Sequence, residues 1–374
     1  MTTQNRQAAT SRLRRGLAAA CVLLLEGTGI RTPAPEAAQR NAAGDVRRET
    51  ATGAKRKVVF IAGPVSHAYG SHDHWPGSQL LSRMLNENHP QIEAVVHRYG
   101  WPADPRTFEG AAAIVIYADG GARHPAVTHL AEMDAMMKRG VGLVLVHYAV
   151  EVEEATAGKQ FLDWAGGYFK INWSINPHWL LQAKSLPRHP ITRGVRPFET
   201  HDEWYYHMQF RDGMKGVVPI LTALPPATSL DRRDGPHQNN PDVRAAVLER
   251  KEPQHVAWAV ERADGGRGFG FTGGHWHWNW GHPMQRKLVL NAIAWAAKAD
   301  VPAAGIETPR VTMEQLEEHA EETPPGSWLV AQTPPPAGAP ATGAGSRAQN
   351  LNRAQRVALL EQWHKDFPPA SKGR

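Results

Sequence analysis

The chain has 374 residues, 41% of them hydrophobic and 21% charged, enough apolar content for a sizeable core. Its single cysteine, Cys21, excludes a disulfide framework, a cysteine-ligated zinc site and a cysteine nucleophile downstream. The net charge of +6 resides at one end: residues 1–57 hold 11 Lys+Arg against 4 Asp+Glu, whereas the other 317 residues hold 31 against 32. The body therefore gives no electrostatic reason to bind nucleic acid. No apolar run has the length of a membrane-spanning helix, so no integral membrane domain is expected.

In chain order, residues 1–56 read as a leader. Arg12, Arg14 and Arg15 precede a short apolar run, Leu17 to Leu25, and then a Pro/Ala-rich stretch. This is the order of a signal peptide, so an exported protein is expected. Residues 57–300 alternate strand and helix signals. Val58 to Ile61 is a short apolar strand ending at Gly63-Pro64, and Gln79 to Asn86 has helical spacing. Ile92 to Val96 and Ala113 to Tyr117 are the second and third strands. Ala126 to Lys138 is a helix with Met133, Met136 and Met137 on one side and Gly140 beyond its end. Val141 to Val146 is apolar throughout, as a central parallel strand should be. Ala245 to Leu248, Val256 to Val260 and Gly268 to Thr272 read as antiparallel strands, and Gln285 to Lys298 as a closing helix. The rhythm predicts an α/β domain, a doubly wound and mostly parallel sheet with extra antiparallel strands. Residues 301–349 read as a Pro/Ala/Gly-rich linker, and 350–374 as an amphipathic helix with a tail.

In such a fold, ligands bind beyond the carboxyl ends of the parallel strands. The predicted strand ends carry His67, His72, Asp73 and His74, then Asp119, then His147-Tyr148, then Gly273-Gly274-His275-Trp276-His277. The stretch His201 to His207 adds Asp202 and Glu203. Imidazoles with carboxylates and no thiolate suit zinc, manganese, iron or nickel, or metal-free acid and base work. His147 and His275 are expected as metal ligands or proton-transfer groups and Glu203 as base or ligand. Of the three histidines on the first loop, His67 is favoured as a further metal ligand and His74 for substrate. Tyr148, Asp202, Tyr205, Trp276 and His277 complete the substrate-binding candidates. His89, His97, His124, His129, His237 and His255 read as surface residues. The glycines of 265–274 lie in and around a strand rather than between strand and helix, so no nucleotide cofactor is expected.

Several segments carry a resemblance: Gly142-Leu-Val-Leu-Val-His147, His189-Pro-Ile-Thr-Arg-Gly194, Phe198, Asp202-Glu-Trp-Tyr205, Gly266-Arg-Gly-Phe-Gly-Phe-Thr-Gly-Gly-His275 and Leu290-Asn-Ala-Ile-Ala-Trp295. In this order, over about residues 57–300, the chain resembles the ThuA-like (trehalose-utilisation) family. The resemblance implies a flavodoxin-like, class I glutamine amidotransferase-like fold. It also places His147 at the turn where an amidotransferase cysteine would stand. With no cysteine in the body, glutamine hydrolysis by a thiolate is excluded. It further implies a small-molecule carbohydrate as ligand, including keto-sugars and disaccharides. Trp75, Trp101, Trp173, Trp179, Trp204, Trp276, Trp278 and Trp280 agree with that, since flat aromatic faces stack on sugar rings. The expected chemistry is isomerisation, elimination or hydration of a keto-sugar, begun by proton abstraction beside the carbonyl. The alternative is a non-catalytic carbohydrate-binding protein on the same scaffold.

Overall fold

The computed structural model describes residues 54–320 and 351–369. The expected signal peptide lies outside the described residues, as does 321–350, the greater part of the expected linker.

The chain runs through β1 (Arg56–Ala62), α1 (His74–Asn88), β2 (Ile92–Arg98), β3 (Ala111–Tyr117), α2 (Leu130–Lys138), β4 (Gly142–Val146) and α3 (Lys159–Ala165). Next come β5 (Gly167–Tyr168), β6 (His178–Ala183), β7 (Phe198–Glu203), β8 (Gln209–Phe210) and β9 (Val217–Ala223). It finishes with α4 (Pro241–Arg244), β10 (Gln254–Glu261), β11 (Arg267–Phe271), α5 (Pro283–Ala296), α6 (Met313–Glu317) and α7 (Arg353–Asp366).

Seven strands form one sheet in the order β2-β1-β3-β4-β11-β10-β9. The first five are parallel, and β10 runs antiparallel to both β11 and β9. The central strands need apolar residues on both faces because helices cover both. Successive side chains of a strand serve opposite faces. Val58, Phe60, Val144 and Val146 accordingly join α1 and α5 in one core. Val59, Ile61, Leu143 and Leu145 join the methionines of α2 and Phe161 and Trp164 of α3 in the other. α5 starts where His282 caps it, its Nδ1 accepting from the Met284 and Gln285 backbone N–H groups, with Pro283 in the first turn.

Four expectations change. Ala245 to Leu248 is not a strand but a helical turn, Ala245–Glu249, continuing α4. Asn240 caps that helix by accepting from Val243 N, and Pro241 follows it, so the cap decides the conformation of a run too short to show its period. Strand β11 reads as antiparallel, yet pairs parallel with β4 as well as antiparallel with β10. Strand β9 and the antiparallel hairpin β6–β7, which stands outside the main sheet, are additions that the sequence pattern does not announce. Finally, residues 301–320 are packed rather than linker: Val301, Ile306, Val311, Met313 and Leu316 are buried. Helix α6 carries a Thr312–Gln315 capping box. Helix α7 docks, burying Leu360 beside Gly281 and Trp363 against His282.

Candidate functional site

The carboxyl ends of β1, β3, β4 and β11 open on one edge of the sheet. The loop after β1 carries His67 and His72, Asp119 follows β3, His147 follows β4, and the turn after β11 carries His275. Hairpin β6–β7 brings Glu203, the last residue of β7, over the same edge. Two of these histidines occupy left-handed backbone, His72 at φ 53 and His147 at φ 55, a conformation held against its intrinsic strain by the surroundings. Gly274 supplies the turn before His275 with φ +101, which a side chain would resist.

The result is a tetrad. His72, His147, Glu203 and His275 each offer one ligand atom, all within 4.8 Å of one another. His72 Nε2 lies 3.1 Å from His275 Nδ1 and 3.1 Å from His147 Nε2, and His275 Nδ1 lies 3.3 Å from His147 Nε2. Glu203 Oε2 is 3.0 Å from His275 Nδ1 and 3.5 Å from His147 Nε2.

The outer nitrogens settle the tautomers by the acceptors they meet. His147 Nδ1 donates to the Thr272 carbonyl at 2.8 Å. His72 Nδ1 faces the Asp119 carboxylate at 3.3 Å. Asp119 is itself held by the Ser66 hydroxyl at 2.6 Å and Arg123 at 3.0 Å. Both Nε2 atoms therefore present lone pairs to the centre, and the Tyr205 hydroxyl lies 3.1 Å from His147 Nε2. Burial, then the neighbouring His147 and His275, push the His72 pKa well below its ordinary value. Burial would raise the Glu203 carboxyl, but His275, His147 and His178 outweigh it and hold that group well below the usual carboxylate range.

His72 and Glu203 of the tetrad line a cavity of about 260 Å³ together with His67, Tyr148, Glu151, Tyr205, Arg232 and His237. Glu151 and His237 form a bonded pair, with Nε2 3.0 and 3.1 Å from the two carboxylate oxygens. Burial raises the Glu151 pKa against the pull of His237, and the bond to Glu151 raises that of His237. A larger groove of about 1050 Å³ runs along β6 and shares Asn176, Glu203 and Arg232 with the cavity.

Of the sequence candidates, His147, His275 and Glu203 come together in the tetrad. His67 stacks on His72 with ring centres 3.6 Å apart and bonds Ser66, so it stands beside the tetrad in a second group with His72 and Asp119. Tyr148 and Tyr205 line the cavity. The other expectations are corrected. His74 opens α1 instead of lying on the loop. Its Nδ1 donates to the Pro64 carbonyl and its ring backs His72, away from the cavity. Asp202 accepts from the backbone N–H groups of Glu203, Gly274 and Trp276, which staples the His275 turn to β7 and leaves no free oxygen for a substrate. Trp276 is buried on Trp278. His277 bonds the Leu316 carbonyl beneath α6. His89 and His124 are buried rather than on the surface.

His72, rather than His67 or His74, is the residue of the first loop in the tetrad. The usable signal is the helix start at position 74, which turns that side chain into the core. His178, whose Nε2 lies 3.8 Å from Glu203 Oε1, and the Glu151–His237 pair carry no signal in the sequence that marks them for the site.

A family model described as trehalose utilisation, ThuA, matches residues 59–296. Among solved structures, a putative ThuA-like protein from Bacteroides uniformis is 15% identical, with 68% of this chain and 97% of that one covered and a TM-score of 0.48. One from Parabacteroides merdae is 15% identical, with 70% and 94% covered and a TM-score of 0.42. A putative GMP synthase protein from Thermoplasma acidophilum is 8% identical, with 66% and 96% covered and a TM-score of 0.33. No curated protein sequence matches the chain. With the family model spanning β1 to α5, the chain belongs to the ThuA family.

Proposed function

We propose that this protein is a metal-assisted enzyme of carbohydrate metabolism, in which His72, His147, His275 and Glu203 hold a divalent ion and the adjoining cavity receives a keto-sugar. One observation carries the metal reading. The lone pairs of His72 Nε2 and His147 Nε2 face each other at 3.1 Å while their other nitrogens are committed to Asp119 and Thr272. Two lone pairs repel unless a cation stands between them, and the low pKa of His72 disfavours an imidazolium there. Donors about 2.0–2.1 Å from a tetrahedral ion stand about 3.3 Å apart. The three imidazole spacings of 3.1–3.3 Å fit that arrangement. The bonds to Asp119 and Thr272 are of the kind that orient metal-ligating histidines.

A divalent ion here would polarise a substrate carbonyl. The chain's own residues supply the rest. Both ring nitrogens of His147 are engaged, so it suits a ligand better than a proton carrier. Glu151, which lines the same cavity, is the group we assign to take the proton from the carbon beside the carbonyl. The C–H electron pair passes to the carbonyl oxygen, the hydroxyl proton of the deprotonated carbon moves to that oxygen, and return of the proton from Glu151 to the former carbonyl carbon completes an isomerisation. His237 holds the carboxylate in place. The carbohydrate class rests on the family description.

The test is metal content of the purified protein by mass spectrometry, for wild type and His147→Ala. Near-stoichiometric metal that is lost in the variant supports the reading, and no metal in either overturns it. For the chemistry, solvent deuterium incorporation into 3-ketoglucose should fall about 10²–10⁴-fold in Glu151→Gln while metal is retained. Undiminished exchange would remove Glu151 from the role.

A further inference from the structure

Arg232 lies where the small cavity and the larger groove meet, and it lines both. It belongs to the wall 231–240, which also presents His237 and Gln238 to the cavity. Asn239 braces this wall by donating to the carbonyls of Leu230 and Arg232. The guanidinium is half-buried, and its one hydrogen bond within the described chain goes from Nη1 to Asn176 Oδ1 at 3.2 Å. It makes no ion pair among the described residues. Other buried or half-buried arginines are matched: Arg262 pairs with Asp264, Arg286 donates to the Trp280 and Gly281 carbonyls, and Arg356 lies over the Trp278 ring. A guanidinium stays charged and carries five donors in a planar fork suited to an oxyanion. Half-withdrawn from water and with most of those donors unused within the described chain, it is placed to meet an anion.

We propose that Arg232 is the anion-recognising residue of this site, and that the ligand is a sugar acid whose carboxylate pairs with Arg232 while its adjoining carbons lie at the tetrad. The inference rests on the carbohydrate reading above and deepens it. A monoanion is favoured over a phosphate dianion by the surroundings. The cavity offers this single guanidinium, and the carboxylates of Glu151 and Glu203 line the same space, Glu151 already bonded to His237. The position at the junction lets a ligand extend from the tetrad into the groove while keeping its carboxylate at Arg232.

The experiment is calorimetric titration of the full chain with glucuronate, glucose and glucose 6-phosphate, for wild type, Arg232→Gln, Arg232→Lys and His147→Ala. Glucuronate should bind wild type about tenfold or more tighter than glucose, as a charge-assisted hydrogen-bonded pair gives. That ratio should fall to near one in Arg232→Gln at unchanged melting temperature, and be partly kept in Arg232→Lys, which also serves if the glutamine variant fails to fold. Equal affinities in wild type, a preference that survives Arg232→Gln, or tighter binding of glucose 6-phosphate overturns the proposal. Glucose that binds in a His147-dependent way without any preference for glucuronate sinks the Arg232 assignment alone. No binding by any of the three sugars overturns it together with the carbohydrate reading.

Discussion

Two sets of buried histidines share this fold and differ in whether their ring nitrogens converge on one another. In the first set, His72 and His147 each commit one nitrogen to an oxygen and turn the other toward a common centre with His275 and Glu203. In the second set, each histidine bonds only the backbone around it, and His277 Nδ1 and His282 Nε2 meet no hydrogen-bond partner among the described residues. His124 bonds the Ala149 carbonyl and accepts from Ala126 N, His277 bonds the Leu316 carbonyl, and His282 caps α5. Burial is alike in both. Convergence of lone pairs, not depth, separates a candidate ligand from a structural histidine.

The largest effect expected from breaking this contrast is at His72. His72→Ala removes a donor that touches both other imidazoles, so metal should be lost and turnover abolished with the circular dichroism unchanged. Retained metal would place the ion elsewhere. Asp119→Asn leaves the ligands in place but weakens the orientation of His72. Metal affinity should drop about 10–100-fold in a competition titration against a chelator, and an unchanged affinity would show that Asp119 does not orient the ring. In the second set, His282→Ala should leave metal content untouched. It should cost about 2–4 kcal/mol of stability in urea unfolding, from the lost cap and the lost packing on Trp363 and Phe198. A loss of metal instead would mean that the two sets are not independent.

The smallest effect is on acid stability. Burial lowers the pKa of His124 and His277 to about 4 and of His282 to about 3. Below the ordinary value of 6.5 the unfolded chain therefore binds protons that the folded chain refuses. Stability should be full above pH 6.5 and decline as the pH falls toward about 4, and further toward 3 for His282. Urea midpoints measured across that window should be shallower in slope for His282→Ala than for wild type. Identical slopes would show that His282 does not contribute.

How far the sequence reaches depends on the range of the interaction concerned. The βαβ order is legible because buried parallel strands are continuous apolar runs, and because helices declare themselves by spacing and terminal residues. Strand ends are then legible too, which is why His147 and His275 stand out. Glu203 stands out as a carboxylate in an aromatic stretch. The choice among His67, His72 and His74 turns on where α1 begins, a one-residue matter. Asp202 and Glu203 are neighbours with different fates, because adjacent strand residues face opposite ways. Asp202 staples the Gly274–Trp276 turn, and Glu203 meets the imidazoles.

What the sequence alone determined is the alternating core, its caps and the set of chemistry-bearing strand ends, all properties of local period and local hydrogen bonding. Tertiary structure alone decided which of them meet. His72 and His275 are separated by 203 residues and Glu151 and His237 by 86, and no local pattern encodes such pairings. They follow from parallel pairing of β11 with β4, from the β6–β7 hairpin carrying Glu203 to the sheet edge, and from the braced wall that carries His237. Those arrangements arise when separated apolar faces bury one another, an event that period and capping in any one segment cannot specify.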